Sequence, residues 1–199
     1  MSDAYPVLQG GLLHAPLFIF VRTTAPTSVV LSGLGLSAAP VKGSRDKDRN
    51  RLYLIRGQHW VHVCDSCGYD LWHRPGRREM LATAGRRWEV FSYWVGDVDE
   101  SYELLYFHDG RLSRHRAVAS PGYSDRIVQT DLGAPMPGET AAVLRSDASV
   151  IGRTLAAALG IDVCYTPDRV EHYRWSSSDL GSPFSEQGSV LIPGGPPHR

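Results

Sequence analysis

Three carboxylates close together are the residues in this sequence best suited to chemistry. Asp97, Asp99 and Glu100 follow an aromatic run that includes Trp94, and they precede a pair of predicted strands. Carboxylates at this spacing can hold a divalent cation, or one can attack a substrate while the other transfers a proton. They can also form a turn, because Asp side chains accept hydrogen bonds from nearby backbone N–H groups. The neighbouring elements decide between a reaction centre, a metal site and a plain connection.

The segment V-G-D-V-D-E-S, residues 95–101, resembles the nucleophile motif D-x-D-x-T/S of the haloacid-dehalogenase-type phosphatases. The resemblance implies that Asp97 attacks phosphorus and Asp99 acts as acid and base, with Mg²⁺ neutralising the phosphate. In that family the motif leads into a helical crossover and a lysine follows downstream. Here a hairpin follows, and the last lysine of the chain is Lys47. A phosphatase-like hydrolase is therefore the alternative prediction.

A turn is our first interpretation of the carboxylates, and a contact surface is the second. A calcium loop does not fit, because Tyr102 and His108 stand where such a loop needs Gly and Glu. An acidic loop beside aromatic side chains suits docking to a basic partner. The residues predicted to bind a partner lie on this loop and on the following hairpin: Tyr93, Trp94, Asp97, Asp99, Glu100, Arg114 and Arg116.

The motif C-D-S-C-G-Y, which begins at Cys64, resembles half of a rubredoxin-type zinc or iron knuckle. A second C-x-x-C is absent, so the resemblance implies a structural zinc held by Cys64, Cys67, Cys164 and a histidine. His62 is our choice, with His73 as the alternative, because His62 and Cys64 are two apart on a predicted strand and share a face. Core packing by free cysteines is the competing interpretation, and the leading prediction has no cofactor.

The predicted elements are mainly strands joined by hairpins. Leu17–Arg22 is a short apolar run typical of a buried strand, and residues 148–159 predict a helix with apolar residues every fourth position. Tyr102–His108 and Arg111–Ala119 predict a hairpin closed by Asp109 and Gly110 in a type I′ turn. Hairpins outnumber βαβ units, so we expect an α+β fold with a largely antiparallel sheet and helices packed on one face.

A two-residue turn also fixes the register of this hairpin. It predicts that Phe107 faces Leu112, that Leu105 faces Arg114 and that Glu103 faces Arg116. The other face of the hairpin would carry Tyr102, Leu104, Tyr106, His115 and Arg111. An aromatic face that bears arginine is common in protein interfaces.

Length and composition indicate one globular domain. The chain has 199 residues, of which 42% are hydrophobic, and 21 Lys and Arg balance 21 Asp and Glu. We expect a single domain over residues 1–175 with a mobile loop at 37–50, and a polar, Gly/Pro-rich tail at 176–199. The zero net charge argues against nucleic-acid binding, and no apolar run approaches the ~18 residues of a membrane span. Three cysteines and no recognisable export signal predict a cytoplasmic protein.

The sequence contains no nucleophile elbow, phosphate-binding loop or zinc-protease motif. The leading prediction is therefore a non-catalytic bacterial domain that binds another protein, such as a toxin-immunity protein or an adaptor. The two alternatives are the hydrolase that uses Asp97 and Asp99 and a zinc-stabilised domain. The sequence leaves the oligomeric state open.

Overall fold

A single antiparallel sheet of nine strands forms the centre of the protein. The computed structural model describes residues 17–40, 51–65, 70–96, 99–120, 125–161, 163 and 170–175. Every strand pairing is antiparallel, and the strand order is β2-β9-β3-β4-β1-β5-β6-β7-β8. The helices join this sheet in one α+β domain.

The elements have the following bounds. The strands are β1 (Leu17–Arg22), β2 (Ala38–Pro40), β3 (Arg51–Arg56), β4 (Trp60–Asp65), β5 (Glu89–Val95), β6 (Tyr102–His108), β7 (Arg111–Ala119), β8 (Ile127–Gly133) and β9 (Val170–Trp175). The α-helices are α1 (Thr27–Gly33), α2 (Asp70–His73), α3 (Arg77–Gly85) and α4 (Ala148–Ala158). A 3-10 helix, Val143–Arg145, precedes α4.

The predicted antiparallel sheet is confirmed, but neither of its edge strands was predicted. Strand β2 occupies Ala38–Pro40, inside the segment 37–50 that was expected to be a loop, and residues 41–50 lie outside the described residues. At the other edge, β7 is the one described strand that pairs with β8, and the residues of β8 are mostly exposed. An edge strand without a buried face lacks the alternating pattern by which strands are predicted.

Residues of the helices share two buried clusters with residues of the sheet. Ile19 and its neighbours on one face share a buried cluster with residues of α1, α2 and α3, such as Leu31 and Leu81. Phe20 on the opposite face shares a cluster with α4 residues, including Leu155. The central strands carry apolar side chains on both faces, so other elements must shield each face from water.

A β-bulge changes the register of the β6–β7 hairpin. Near the turn the prediction is confirmed, because Phe107 faces Leu112. Ser113 is then left unpaired, so Leu105 faces His115 instead of Arg114. A bulge places two residues of one strand opposite one residue of its partner, and it therefore moves each following side chain to the other face.

The bulge exchanges the faces of the basic residues on β7. Arg114 and Arg116 now lie on the α4 face, opposite Tyr106 and Leu104 respectively. His115 lies on the α3 face, and Glu103 faces Ala117. The predicted pairing of Glu103 with Arg116 is therefore wrong beyond the bulge.

A close contact between α4 and β5 gives the first testable prediction. A Cβ atom at Gly152 would lie 2.5 Å from the Tyr93 ring, which is buried and hydrogen-bonded to Ala148. We expect Gly152→Ala to destabilise the protein by about 1–3 kcal/mol, since a fixed ring cannot yield to the added methyl group. Helix propensity alone predicts a gain of about 1 kcal/mol.

Urea unfolding measures this difference, and Ser149→Ala on the exposed side of α4 is the matched control. The control should change the free energy of unfolding by less than about 0.5 kcal/mol. A stabilising Gly152→Ala would contradict the described contact.

No helix in the described part of the chain is long and apolar enough to cross a membrane.

Candidate functional site

Two of the predicted binding residues hold the start of α4. The Tyr93 hydroxyl donates a hydrogen bond of 2.5 Å to the Ala148 carbonyl, and burial raises the pKa of Tyr93 well above its usual value. The Glu100 carboxylate accepts a bond of 2.6 Å from the Ala148 N–H and one of 3.2 Å from Arg126. Glu100 therefore caps the helix, whereas the N-cap residue Asp147 makes no side-chain capping bond.

Asp99 makes the contact expected of a turn residue. Its Oδ1 accepts a hydrogen bond of 2.8 Å from the Ser101 N–H, two residues further along the chain. The Gly96 N–H donates to the Ser101 carbonyl at 2.8 Å and closes the loop between β5 and β6. Asp97, the other member of the predicted catalytic pair, lies outside the described residues.

Trp94 is half-buried and stacks on another tryptophan. The rings of Trp94 and Trp72 lie 4.1 Å apart and are almost parallel. On Trp72, in turn, the guanidinium of Arg77 lies 3.7 Å from the ring centre, a cation–π contact. The Trp94 Nε1–H is buried and has no hydrogen-bond partner among the described residues. Much of this side chain is therefore committed to packing inside the fold.

Arg114 and Arg116 form ion pairs with β8 and with the segment that follows it. Arg114 is 4% exposed and makes a bidentate ion pair with Glu139, at 2.5 and 3.0 Å. Both arginines also contact Asp131 on β8, and Arg116 donates a bond of 3.0 Å to the Tyr102 hydroxyl. These two residues, which were predicted to bind a partner, therefore hold β8 and the following segment against β7.

The predicted metal ligands are described only in part. His62 and Cys64 lie on the same sheet face, as predicted, and His62 stacks on Phe20 with ring centres 4.6 Å apart. Burial lowers the pKa of His62 to about 3, so the ring is neutral. Cys67, Cys164 and the side chain of His73 are outside the described part. Among the described residues, no three His, Cys, Asp or Glu side chains are grouped to hold a metal.

A buried charge cluster, which the sequence did not predict, is centred on Glu103. Its carboxylate lies 2.5 Å from Arg77, 2.7 Å from Arg78 and 3.1 Å from Nε2 of His115. Burial opposes ionisation of Glu103, but the two arginines outweigh it and lower the pKa of the carboxyl. The bulge at Ser113 brings His115 into this cluster, because without it His115 would point to the other face.

A cleft beside this cluster separates α3 from the β6–β7 hairpin. It encloses about 400 Å³ and is called the α3 cleft here. The residues that line it are Arg78, Glu79, Ala82, Arg86, Leu105, Phe107, Gly110, Arg111, Leu112 and His115. Its volume falls in the range of small-molecule sites.

The outer side of β8, called the β8 edge here, is the other exposed feature. Ile127, Val128 and Leu132 are 54%, 48% and 61% exposed, although all three are large apolar side chains. Neighbouring β7 pairs with β6 on its other side, so β8 is the last strand of the sheet among the described residues, and its outer backbone groups can pair with a further strand. The adjacent β-branched residues Ile127 and Val128 are the local signal of a strand in the sequence.

Comparison with protein-family models, with curated proteins and with solved structures found no match to this chain.

Proposed function

We propose that this protein is a non-catalytic protein-binding domain whose partner adds an extended strand to the β8 edge. One observation carries the proposal: a seven-residue edge strand bears three large apolar side chains that are about half exposed or more. Exposed apolar side chains on an unpaired edge favour association with another chain, since the partner supplies both hydrogen bonds and apolar contact.

The register of β8 distributes these side chains over both faces of the sheet. Val128 faces Val118, which belongs to the cluster under α4. Leu132 faces His115 on the α3 side, so Val128 and Leu132 project in opposite directions. A partner strand beside β8 would therefore find apolar contact above and below its own backbone.

A bulge and a set of ion pairs make this edge specific for a partner. The register of β7 and β8 shifts between Ala117 and Val118, which leaves Gln129 unpaired and bends the strand. Asp131, 44% exposed, lies between Arg114 and Arg116. A bent, charged edge disfavours uncontrolled strand addition, so a matching partner has an advantage over a random one.

Two roles fit such an edge: neutralisation of a toxin, or bridging of two proteins as an adaptor. We place either role in the bacterial cytoplasm, where an odd number of cysteines stays reduced. A captured partner whose toxic activity the protein inhibits would identify an immunity protein. A captured partner without such activity would identify an adaptor.

Charge placed on the edge tests the proposal. The double variant Ile127→Lys, Leu132→Lys should bind the captured partner about 100-fold more weakly, because each substitution removes apolar contact worth ~1.4 kcal/mol or more. Titration calorimetry with the purified partner measures the affinity, and hydrogen exchange identifies the residues that the partner covers. Amides of residues 127–133 should exchange more slowly in the complex.

Val29→Lys is the matched control, since Val29 is an exposed apolar residue of α1 outside the edge. It should leave the affinity unchanged. Equal affinities for the wild type and the double variant, or unchanged exchange at residues 127–133, would refute the proposal.

A further inference from the structure

We propose that the α3 cleft is a binding site for a small organic anion that has an apolar body, such as an aromatic sulfonate or carboxylate. This site is separate from the β8 edge and uses other side chains. Its rim is basic and its floor is apolar, which is the combination that such a ligand requires.

The rim owes its charge to the spacing of arginines along α3. Arg78, Ala82 and Arg86 follow one another at intervals of four, so they lie along one stripe of the helix. The small side chain of Ala82 leaves room between the two arginines. Arg111, at the start of β7, closes the third side of the cleft.

These arginines have unused capacity for an anion. Arg86 is exposed and donates a bond of 3.0 Å to the neutral hydroxyl of Thr83. Arg78 shares the carboxylate of Glu103 with Arg77 and His115, so one negative charge serves several cationic or polar groups. In the described part of the chain, neither Arg86 nor Arg111 has an ion pair.

The carboxylate of Glu79 also lines the cleft but lies toward the other end of α3. A Cβ atom on Gly76, at the helix start, would be 3.7 Å from its Oε2. Arg86 is at the helix end, where its carbonyl is 3.9 Å from the position of a Cβ on Gly110. Arg86 therefore lies at the hairpin end of the cleft, away from Glu79.

The floor supplies apolar contact at the same end. Leu105 and Phe107 are 2% and 4% exposed, and Leu112 beside them is 45% exposed. Leu112 is thus a large apolar side chain on the cleft wall that still has surface to bury. A ring placed against Leu112 would share the cleft with Arg86 and Arg111, whose guanidinium groups can each donate two hydrogen bonds to an anionic group.

Naphthalene-1-sulfonate is a suitable probe, because it combines a rigid apolar ring with a permanent negative charge. We expect a dissociation constant of roughly 0.1–1 mM for a ligand of this size. Two related compounds separate the contributions: 1-naphthalenemethanol lacks the charge, and sulfate lacks the ring. Each should bind about tenfold more weakly or not at all. Chemical shifts of the Phe107, Gly110 and Leu112 amides report binding at the cleft.

Three variants locate the site. Arg86→Gln combined with Arg111→Gln should weaken sulfonate binding about tenfold or more, because both charge-assisted contacts are lost. Ala82→Leu should abolish binding by filling the cleft. Arg87→Gln is the matched control, since Arg87 is the adjacent exposed arginine and stacks on Trp88 outside the cleft.

Binding that persists in the Arg86, Arg111 double variant would overturn the inference, as would equal binding of the sulfonate and the neutral alcohol. Absence of sulfonate binding up to 10 mM, about ten times the expected constant, would also overturn it. The single variant Ile127→Lys leaves Leu132, the neighbour of the cleft residue His115, unchanged. It should weaken partner binding about tenfold and bind the sulfonate like the wild type. Loss of partner binding with retained sulfonate binding therefore separates the edge from the cleft.

Discussion

Replacing Glu103 with alanine should lower the free energy of unfolding by about 3–5 kcal/mol, one of the two largest effects we expect from a single polar substitution. The side chains of Glu103 and Arg77 are 6% and 9% exposed, and their polar atoms lie 2.5 Å apart. Without the carboxylate, the Arg77 guanidinium stays buried against Trp72 with its charge uncompensated. Urea unfolding followed by tryptophan fluorescence measures the loss.

Arg78→Ala is the matched control for this prediction, because Arg78 pairs with the same carboxylate but is 62% exposed. Solvent screens that pair, so the variant should lose less than about 1 kcal/mol. Similar losses in Glu103→Ala and Arg78→Ala would show that burial does not set the strength of this cluster.

The pH dependence of stability gives a second check on Glu103. Its pKa in the folded protein lies below the ordinary value of 4.5. A carboxyl of this kind contributes stability above its unfolded-state pKa, and the contribution disappears as the pH falls through the folded-state pKa. The stability difference between the wild type and Glu103→Ala should therefore be full at pH 7 and shrink below about pH 4.5.

Arg114→Ala should also destabilise the protein by about 3–5 kcal/mol. Arg114 and Glu139 are 4% and 1% exposed, so removal of the guanidinium leaves a buried carboxylate without its partner. The variant also loses bonds of 3.1 and 3.2 Å from Arg114 to the carbonyls of Leu132 and Gly133. Because these carbonyls belong to β8, we expect hydrogen exchange to accelerate throughout that strand.

Arg116→Ala tests the same idea at the next position on the same face of β7. Its partner Asp131 is 44% exposed, so we expect a loss of about 1 kcal/mol or less. A contact residue on the surface would affect partner affinity without affecting stability. If Arg114→Ala unfolds with the wild-type midpoint yet fails to bind the partner, the structural role described for Arg114 is wrong.

The candidate sites were less predictable than the fold. The sequence correctly located the β6–β7 hairpin, because Asp109 and Gly110 both adopt the positive φ angles, 52° and 75°, that a type I′ turn requires. The unpaired residue Ser113 left no comparable signal. One extra residue moved His115 next to Glu103, and no pattern in the β7 sequence distinguishes it from a regular strand.

The surface predicted around Trp94 illustrates the same limit. Residue types indicated an aromatic and acidic contact region, and these types are common at interfaces. In the fold, Tyr93 and Glu100 hold the start of α4, and Trp94 stacks on Trp72. Their partners are distant in sequence, so burial and pairing could not be deduced from local pattern. The exposed apolar residues on β8, rather than the residues around Trp94, are therefore the best candidate for a contact surface.

The sequence by itself determined the hairpins, the antiparallel pairing and the helix that begins at Ala148, because turn residues and apolar periodicity act over a few neighbouring positions. Only the tertiary structure decided which face each side chain occupies, which charges are buried and which strands form the edges. Those properties depend on contacts between distant segments, such as Arg77 with Glu103 and Arg114 with Glu139. The β8 edge and the α3 cleft both arise from such contacts.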